Sequence, residues 1–371
     1  MKSGDKLLFT PGPLTTRRSV KEAMLRDLGS RDEDFIQVIA EVRRELLALG
    51  QVSREKGYEA ILMQGSGTFG IESVIGSVLP RSGKLLVLIN GAYGRRILTI
   101  AKRLGIETAA IEARENEALD KGRLDETLRS DPSITHVALV HCETTSGILN
   151  PVEAIGGIVA ASGRTYIVDA MSSFGGVALD VRAARIDYLI SSSNKCVEGV
   201  PGFSFVIANR ANLLATRGSA RSVSLDLLDQ WESMEKSGQF RFTPPTHTLL
   251  AFHQALRELA AEGGIPARTR RYQENHATLV AGMRALGFVE YVDPSLQGWI
   301  ITSFLYPTDP NFNFEGFYEH LSRKGMVIYP GKLTEADCFR IGNIGQISPD
   351  DVTALLGAIS TVTQEMDVSL G

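Results

Sequence analysis

Every sustained apolar run in this chain is strand-sized, and most give way to glycines or small polar residues before a stretch with helical spacing begins. That alternation constrains the fold more than any other feature. Strands separated by helix-length segments specify an α/β layered architecture with a mostly parallel sheet. Ala60–Gln64, Lys84–Ile89, Ile106–Ile111, His136–His141, Arg164–Val168, Tyr188–Ser192 and Phe203–Ala208 read as strands. Thr68–Ser77 reads as a helix that puts Ile71, Val74, Ile75 and Val78 on one face. A basic helix is expected from Arg95 and another over Val152–Ala161. The last third mixes its elements differently: helices Thr248–Glu262 and Pro266–Leu286, strand Ile300–Leu305, helix Phe314–Lys324, strands Met326–Tyr329 and Cys338–Ile341, and helix Pro349–Thr363. This pattern suits a smaller α+β domain. The expected division is a large domain over 21–255, and a small one formed by 256–371 with the N-terminal segment 1–20. The extended Pro11-Gly12-Pro13 stretch is expected to cross between them.

Composition narrows the function classes. Thirty-nine Lys and Arg against 43 Asp and Glu give a net charge of −4 over 371 residues. With no long basic run, nucleic acid is not the expected partner. No apolar stretch approaches the ~18 residues of a membrane span, and no signal-peptide core follows Met1. Three widely spaced cysteines, Cys142, Cys196 and Cys338, form no Cys-x-x-Cys pair and fit a reducing, cytoplasmic compartment. The histidines lack metal-ligand spacing, so no metal is expected.

Five motifs carry candidate chemistry. Gln64-Gly65-Ser66-Gly67-Thr68 lies between a strand and a helix, where backbone N–H groups, two hydroxyls and the helix dipole can hold a phosphate. Ser66 acting as a simple helix cap is an equal alternative. Asp169 ends an apolar strand, where open α/β sheets bind ligands, although a strand-end Asp also caps turns. Lys195 ends another strand among small residues, where partial burial would lower its pKa and make the amine nucleophilic; the alternative is a lysine turned to solvent. Arg340, between Phe339 and Ile341, can fork onto an anionic group or pair with Asp337. Thr243 precedes Pro244-Pro245 in a rigid loop. Phosphate loop, strand-end Asp, strand-end Lys and distal Arg together match what pyridoxal phosphate and an anionic amino substrate require.

On these motifs the sequence resembles the fold-type I pyridoxal-phosphate enzymes, in the aminotransferase branch that includes the alanine–glyoxylate and serine–pyruvate enzymes. The resemblance extends through Phe9–Thr15, Asn90–Gly94, Glu143–Pro151, Gly199–Phe203, Pro245–Thr248 and Tyr329–Lys332. The runs Ile167–Gly176 and Cys338–Gly345 are narrower and are similar to members that act on an aminophosphonate. The resemblance implies pyridoxal 5′-phosphate as cofactor, with Lys195 forming the imine and Asp169 facing the pyridinium nitrogen. It implies Ser66, Gly67 and Thr68 on the phosphate, Tyr93 stacked on the ring, Thr144 by the ring hydroxyl and Arg340 on the substrate anion. It places Thr243 on the phosphate of the other subunit, hence a homodimer with shared sites. The implied reaction moves the amino group of 2-aminoethylphosphonate to pyruvate, giving phosphonoacetaldehyde and alanine. Alanine–glyoxylate transamination is the alternative within the cofactor class. Cysteine desulfuration through Cys338 and a nicotinamide site at Gly65–Gly70 rank lower, because Cys338 sits in an apolar strand and no acidic residue ends the next strand.

Overall fold

The structure, a computed structural model, describes residues 5–333 and 335–370. Its centre is a seven-stranded sheet. In chain order the strands are β1 (Tyr58–Gln64), β2 (Lys84–Ile89), β3 (Glu107–Glu112), β4 (Ile134–Val140), β5 (Thr165–Asp169), β6 (Tyr188–Ser192) and β7 (Phe203–Asn209). Across the sheet they run β1-β7-β6-β5-β4-β2-β3. β7 is antiparallel to both of its neighbours, and all other pairs are parallel. Leu86–Ile89, Val137–Val140, Ile167–Asp169 and the whole of β6 are buried, which is why these strands read as continuous apolar runs rather than alternating ones.

Helices pack on both faces. α1 (Glu33–Leu49) and α4 (Val152–Ala161) join one apolar cluster with Leu62, Leu139 and Phe205. α2 (Gly67–Val78) and α3 (Ala92–Arg103) join the other with Ile61, Val87 and Ile190. α4 connects the parallel neighbours β4 and β5, the crossover that parallel pairing demands. Because β7 is antiparallel to β1 and β6, those two strands point the same way as β5. The chain therefore leaves β1, β2, β4, β5 and β6 along one edge, at Gln64, Ile89, Val140, Asp169 and Ser192.

A second, antiparallel sheet is built from β8 (Ile301–Leu305), β9 (Tyr329–Pro330) and β10 (Cys338–Gly342), ordered β8-β10-β9. α7 (Phe314–Arg323) and α8 (Pro349–Glu365) close it over an aromatic cluster that includes Phe304, Phe317 and Phe339. α8 starts at a Ser348–Asp351 capping box with Pro349 in its first turn. Between the sheets, α5 (Thr246–Glu262) runs directly into α6 (Gly264–Ala285); Gly263 and Gly264 take φ of 106° and 72°, which redirects the chain without a loop.

Two expectations need correction. The stretch 326–329 is not one strand: Met326–Val327 pairs in parallel with Leu7–Leu8, and Tyr329–Pro330 pairs with β10. The long helix starts at Gly264 rather than Pro266, with Pro266 in its first turn, where a missing N–H costs nothing. The N-terminal segment does traverse the molecule: Phe9 joins the C-terminal apolar cluster, while Gly12 lies against Lys195 of the central sheet. Positions 1–4, 334 and 371 of the expected domains lie outside the described residues.

Candidate active site

The edge where the parallel strands end gathers most of the candidate side chains. At the end of β1, Gly65 takes φ of 94°, and a side chain there would run into Phe69. A Cβ on Gly67 would overlap the Met171 side chain, so any larger residue there would have to displace that side chain from the turn after β5. Ser66 occupies the N-cap position of α2, yet its side chain makes no capping bond. The capping alternative is thus not realised, and the hydroxyl and helix N–H groups face an open approach. The Thr68 hydroxyl accepts a hydrogen bond from Arg96 Nη1 at 3.3 Å.

Asp169 is 5% exposed. Its Oδ1 accepts the Met171 N–H at 2.9 Å, so it caps the turn as well as ending the strand. Burial raises its carboxyl to about 6, opposed by the Met171 N–H and by the charges of Lys195 and Arg96. Lys195 does not turn to solvent. Its Nζ donates to the Pro11 carbonyl at 2.6 Å, and its stem packs against Gly12, whose φ is 117°. Burial lowers its pKa, opposed by Tyr93, Cys196 and Asp169, which leaves more free amine at neutral pH.

Arg340 is 5% exposed and forms no ion pair with Asp337 or with any other acid among the described residues. Nε donates to the Pro330 carbonyl at 2.9 Å and Nη1 to the Thr144 carbonyl at 2.8 Å. The pairing alternative is therefore overturned: a buried guanidinium is held by neutral acceptors, with its charge uncompensated. Tyr93 lies against it. Thr144 is buried beside it. Thr243 stands apart from the rest. It is exposed, and its carbonyl accepts a hydrogen bond from Gln64 Nε2 at the end of β1. No hydrogen bond ties its side chain to Lys195, Asp169 or Arg340 within one chain.

Four neighbours escaped the sequence reading. Arg96 lies one helical turn beyond Tyr93, with its guanidinium carbon 4.9 Å from the Tyr93 ring centroid; the i, i+3 spacing was the available signal. Lys332 Nζ lies 5.0 Å from the same centroid. Glu143 is fully buried and accepts the Tyr93 N–H at 3.2 Å and the Thr145 hydroxyl at 2.8 Å, holding the start of α3. Burial pushes its carboxyl up to about 7, against those donors. Glu198 sits just behind Lys195 at φ of 65°, and Arg271 and Tyr272 reach it at 2.8 and 2.6 Å.

A family model, Aminotransferase class-V, matches residues 18–321. This chain is a class-V aminotransferase. It is 53% identical over 363 residues to a 2-aminoethylphosphonate–pyruvate transaminase of Salmonella typhimurium, covering 97% of this chain and 98% of that one. The Salmonella schwarzengrund relative of the same name matches equally. Among solved structures, a pyridoxamine-pyruvate aminotransferase from Mesorhizobium loti superimposes with a TM-score of 0.90 at 25% identity, over 100% of this chain and 95% of that one. A ureidoglycine-glyoxylate aminotransferase from Bacillus subtilis gives 0.90 at 24%, over 100% and 96%.

The thiol that the sequence offers for desulfuration is poorly disposed to it. Cys338 is buried in β10, and burial pushes its thiol up to about 11, so it stays protonated and un-nucleophilic at neutral pH. Among the described residues there is no group of three or more His, Cys, Asp or Glu side chains that could hold a metal ion, and no helix long and apolar enough to cross a membrane.

Proposed function

We propose that this aminotransferase transfers the amino group of 2-aminoethylphosphonate to pyruvate with pyridoxal 5′-phosphate as cofactor. The observation that carries the substrate is the 53% identity, over nearly the full length of both chains, to relatives of that name. The cofactor is supported by the donor set. An unengaged Ser66 hydroxyl, the α2 N-terminus and Arg96 form an anion seat at one end. Asp169 stands at another strand end, and a low-pKa lysine is beside it. A flat, phosphorylated aldehyde with a protonated ring nitrogen fits that arrangement. When bound, the cofactor supplies the electron-withdrawing ring that makes the substrate's α-proton acidic.

In this reading the chain's residues divide the work as follows. Ser66, Gly67 and Thr68 would hold the phosphate. Asp169 would supply the carboxylate that keeps a ring nitrogen protonated. Tyr93 would supply an aromatic face for the ring, and Thr144 a polar neighbour for its hydroxyl. The Lys195 amine would hold the aldehyde and, as a free amine, would move a proton to and from the substrate carbon as base and then acid. Arg340 orients the substrate anion, phosphonate in one half-reaction and carboxylate in the other; a permanently charged planar fork serves both. Exposure of Thr243, together with Phe242 at 45% and Phe69 at 52%, supports a second copy covering the site and lending Thr243 to its phosphate. The separate apolar clusters support a large domain over 21–255 and a small one from 1–20 with 256–371. A reducing cytoplasmic setting fits three buried free thiols.

The deciding experiment is an amine-donor panel with pyruvate or glyoxylate as acceptor. The expected result is alanine and phosphonoacetaldehyde from 2-aminoethylphosphonate at a kcat/KM at least about a hundred-fold above alanine or serine as donor. Faster turnover of alanine with glyoxylate would overturn the substrate. Borohydride reduction followed by peptide mapping is expected to leave a pyridoxyl group on Lys195, and an unlabelled Lys195 would overturn the cofactor assignment.

A further inference from the structure

Two cations lie over one aromatic ring, and a third lies against the same side chain. The Arg96 guanidinium lies 4.9 Å from the Tyr93 centroid and Lys332 Nζ lies 5.0 Å from it, while Arg340 lies against the same side chain. Among the described residues, none of the three makes an ion pair. Like charges brought together without an ion-paired partner repel one another, so the arrangement favours anions in the space between them. Arg96 is tied to Thr68 and belongs to the end of the site where α2 begins. Lys332 follows β9, which pairs with β10, the strand that carries Arg340.

Arg340 alone does not satisfy both expected substrates equally. A guanidinium has five N–H donors. Here Nε and one Nη1 hydrogen are committed to the Pro330 and Thr144 carbonyls, and the Tyr93 hydroxyl is within reach of a further one. The remaining edge suits the two oxygens and single charge of a carboxylate. A phosphonate presents three oxygens and, near neutral pH, up to two negative charges. One oxygen and one charge are then unmet. Lys332, two residues beyond Pro330, is an exposed ammonium on a flexible stem with three rotatable donors. It can close on the third oxygen and withdraw when the substrate lacks one.

We propose that Lys332 is a specificity-determining residue that completes, with Arg340, a two-cation seat for the phosphonate and is dispensable for the carboxylate. This rests on the substrate reading above and goes beyond it by assigning the discrimination between the two half-reactions to one side chain.

The test uses the wild-type holoenzyme, Lys332→Met and Lys332→Arg. Each is titrated with ethylphosphonate and with propionate, which carry the two anions but no amine, and each half-reaction is followed separately in single turnover. The expected result for Lys332→Met is an approximately ten-fold weaker ethylphosphonate Kd and a similar loss in the 2-aminoethylphosphonate half-reaction. Propionate binding and the alanine half-reaction should stay within about two-fold, and Lys332→Arg should recover most of the loss. Equal losses for both anions, or no loss for ethylphosphonate, in an enzyme whose wild type does transaminate 2-aminoethylphosphonate would overturn the assignment to Lys332 alone. A wild type that ignores 2-aminoethylphosphonate would overturn the substrate reading, and this assignment with it.

Discussion

Behind Lys195 and in front of it the molecule handles charge in opposite ways. Behind it, Glu198, Glu262, Arg268 and Arg271 form a closed set, two of each sign. Arg268 is 1% exposed and reaches Glu262 at 2.7 Å, and Arg271 reaches Glu262 and Glu198 at 2.8 Å each. Their spare donors go to backbone: Arg268 Nη1 to the Cys196 carbonyl at 2.6 Å, and Arg271 Nη1 to the Gly345 carbonyl at 2.5 Å. That cluster locks the loop after Lys195 to α6 and to the chain leaving β10. In front of it, among the described residues, Arg96, Lys332 and Arg340 form no ion pair with an acid, and Glu143 forms none with a cation. Charges that answer one another hold a fold together, whereas charges left unanswered around a cleft await something that comes from outside.

The contrast can be broken by moving a substitution from one region to the other. Arg340→Met should lower kcat/KM about a thousand-fold, equivalent to ~4 kcal/mol, while leaving the melting temperature unchanged or higher, since it removes an uncompensated buried charge. Steady-state kinetics beside a thermal melt would show this, and a large loss of stability would mean that Arg340 is structural after all. Arg268→Met should do the reverse in emphasis. It strands the buried Glu198 and the half-buried Glu262 on one remaining guanidinium and should cost about 3 kcal/mol in denaturant unfolding. Arg96→Met should weaken pyridoxal-phosphate affinity about ten-fold, read by equilibrium dialysis, with no change in the melting temperature of the cofactor-free protein.

The smallest expected effect is a slope. Glu143 has its folded value raised to about 7 from an ordinary 4.5, so the folded state holds a proton that the unfolded chain has lost between those limits. The resulting stability is full below about 4.5 and is lost as pH rises through 7, at no more than ~1.4 kcal/mol per pH unit. Glu143→Gln should flatten that part of the profile, so the variant gains on wild type between pH 5 and pH 8. Parallel unfolding profiles would instead mean that the N–H donors of α3 keep Glu143 ionised throughout.

Much of the architecture was legible because buried parallel strands carry continuous apolar runs. Lys84–Ile89 and Tyr188–Ser192 have the bounds their sequences suggest. Where a strand changes partner, pattern alone is blind. Met326–Val327 and Tyr329–Pro330 are one apolar stretch in sequence and belong to two sheets in space. The site was legible as far as glycines, Asp169, Lys195 and Arg340, residues whose types are costly at strand ends unless used. Arg96, Lys332 and Glu143 were not, because an ordinary surface charge and a poised one are spelled identically. Only the missing partner distinguishes them, and a missing partner is a three-dimensional fact. The same holds for Arg340 and Asp337: neighbours in sequence, with no ion pair between them.

The N-terminal strap has a consequence for how the enzyme is made and handled. Residues 7–13 find their partners at 195, 326–327 and 342, so this stretch can dock only once segments far along the chain are in place. Translation must run past residue 342 before the carbonyl of Pro11 can meet the amine of Lys195 within a finished fold. A proteolytic cut within residues 7–13 would thus disturb the reactive amine itself while leaving the seven-stranded core standing.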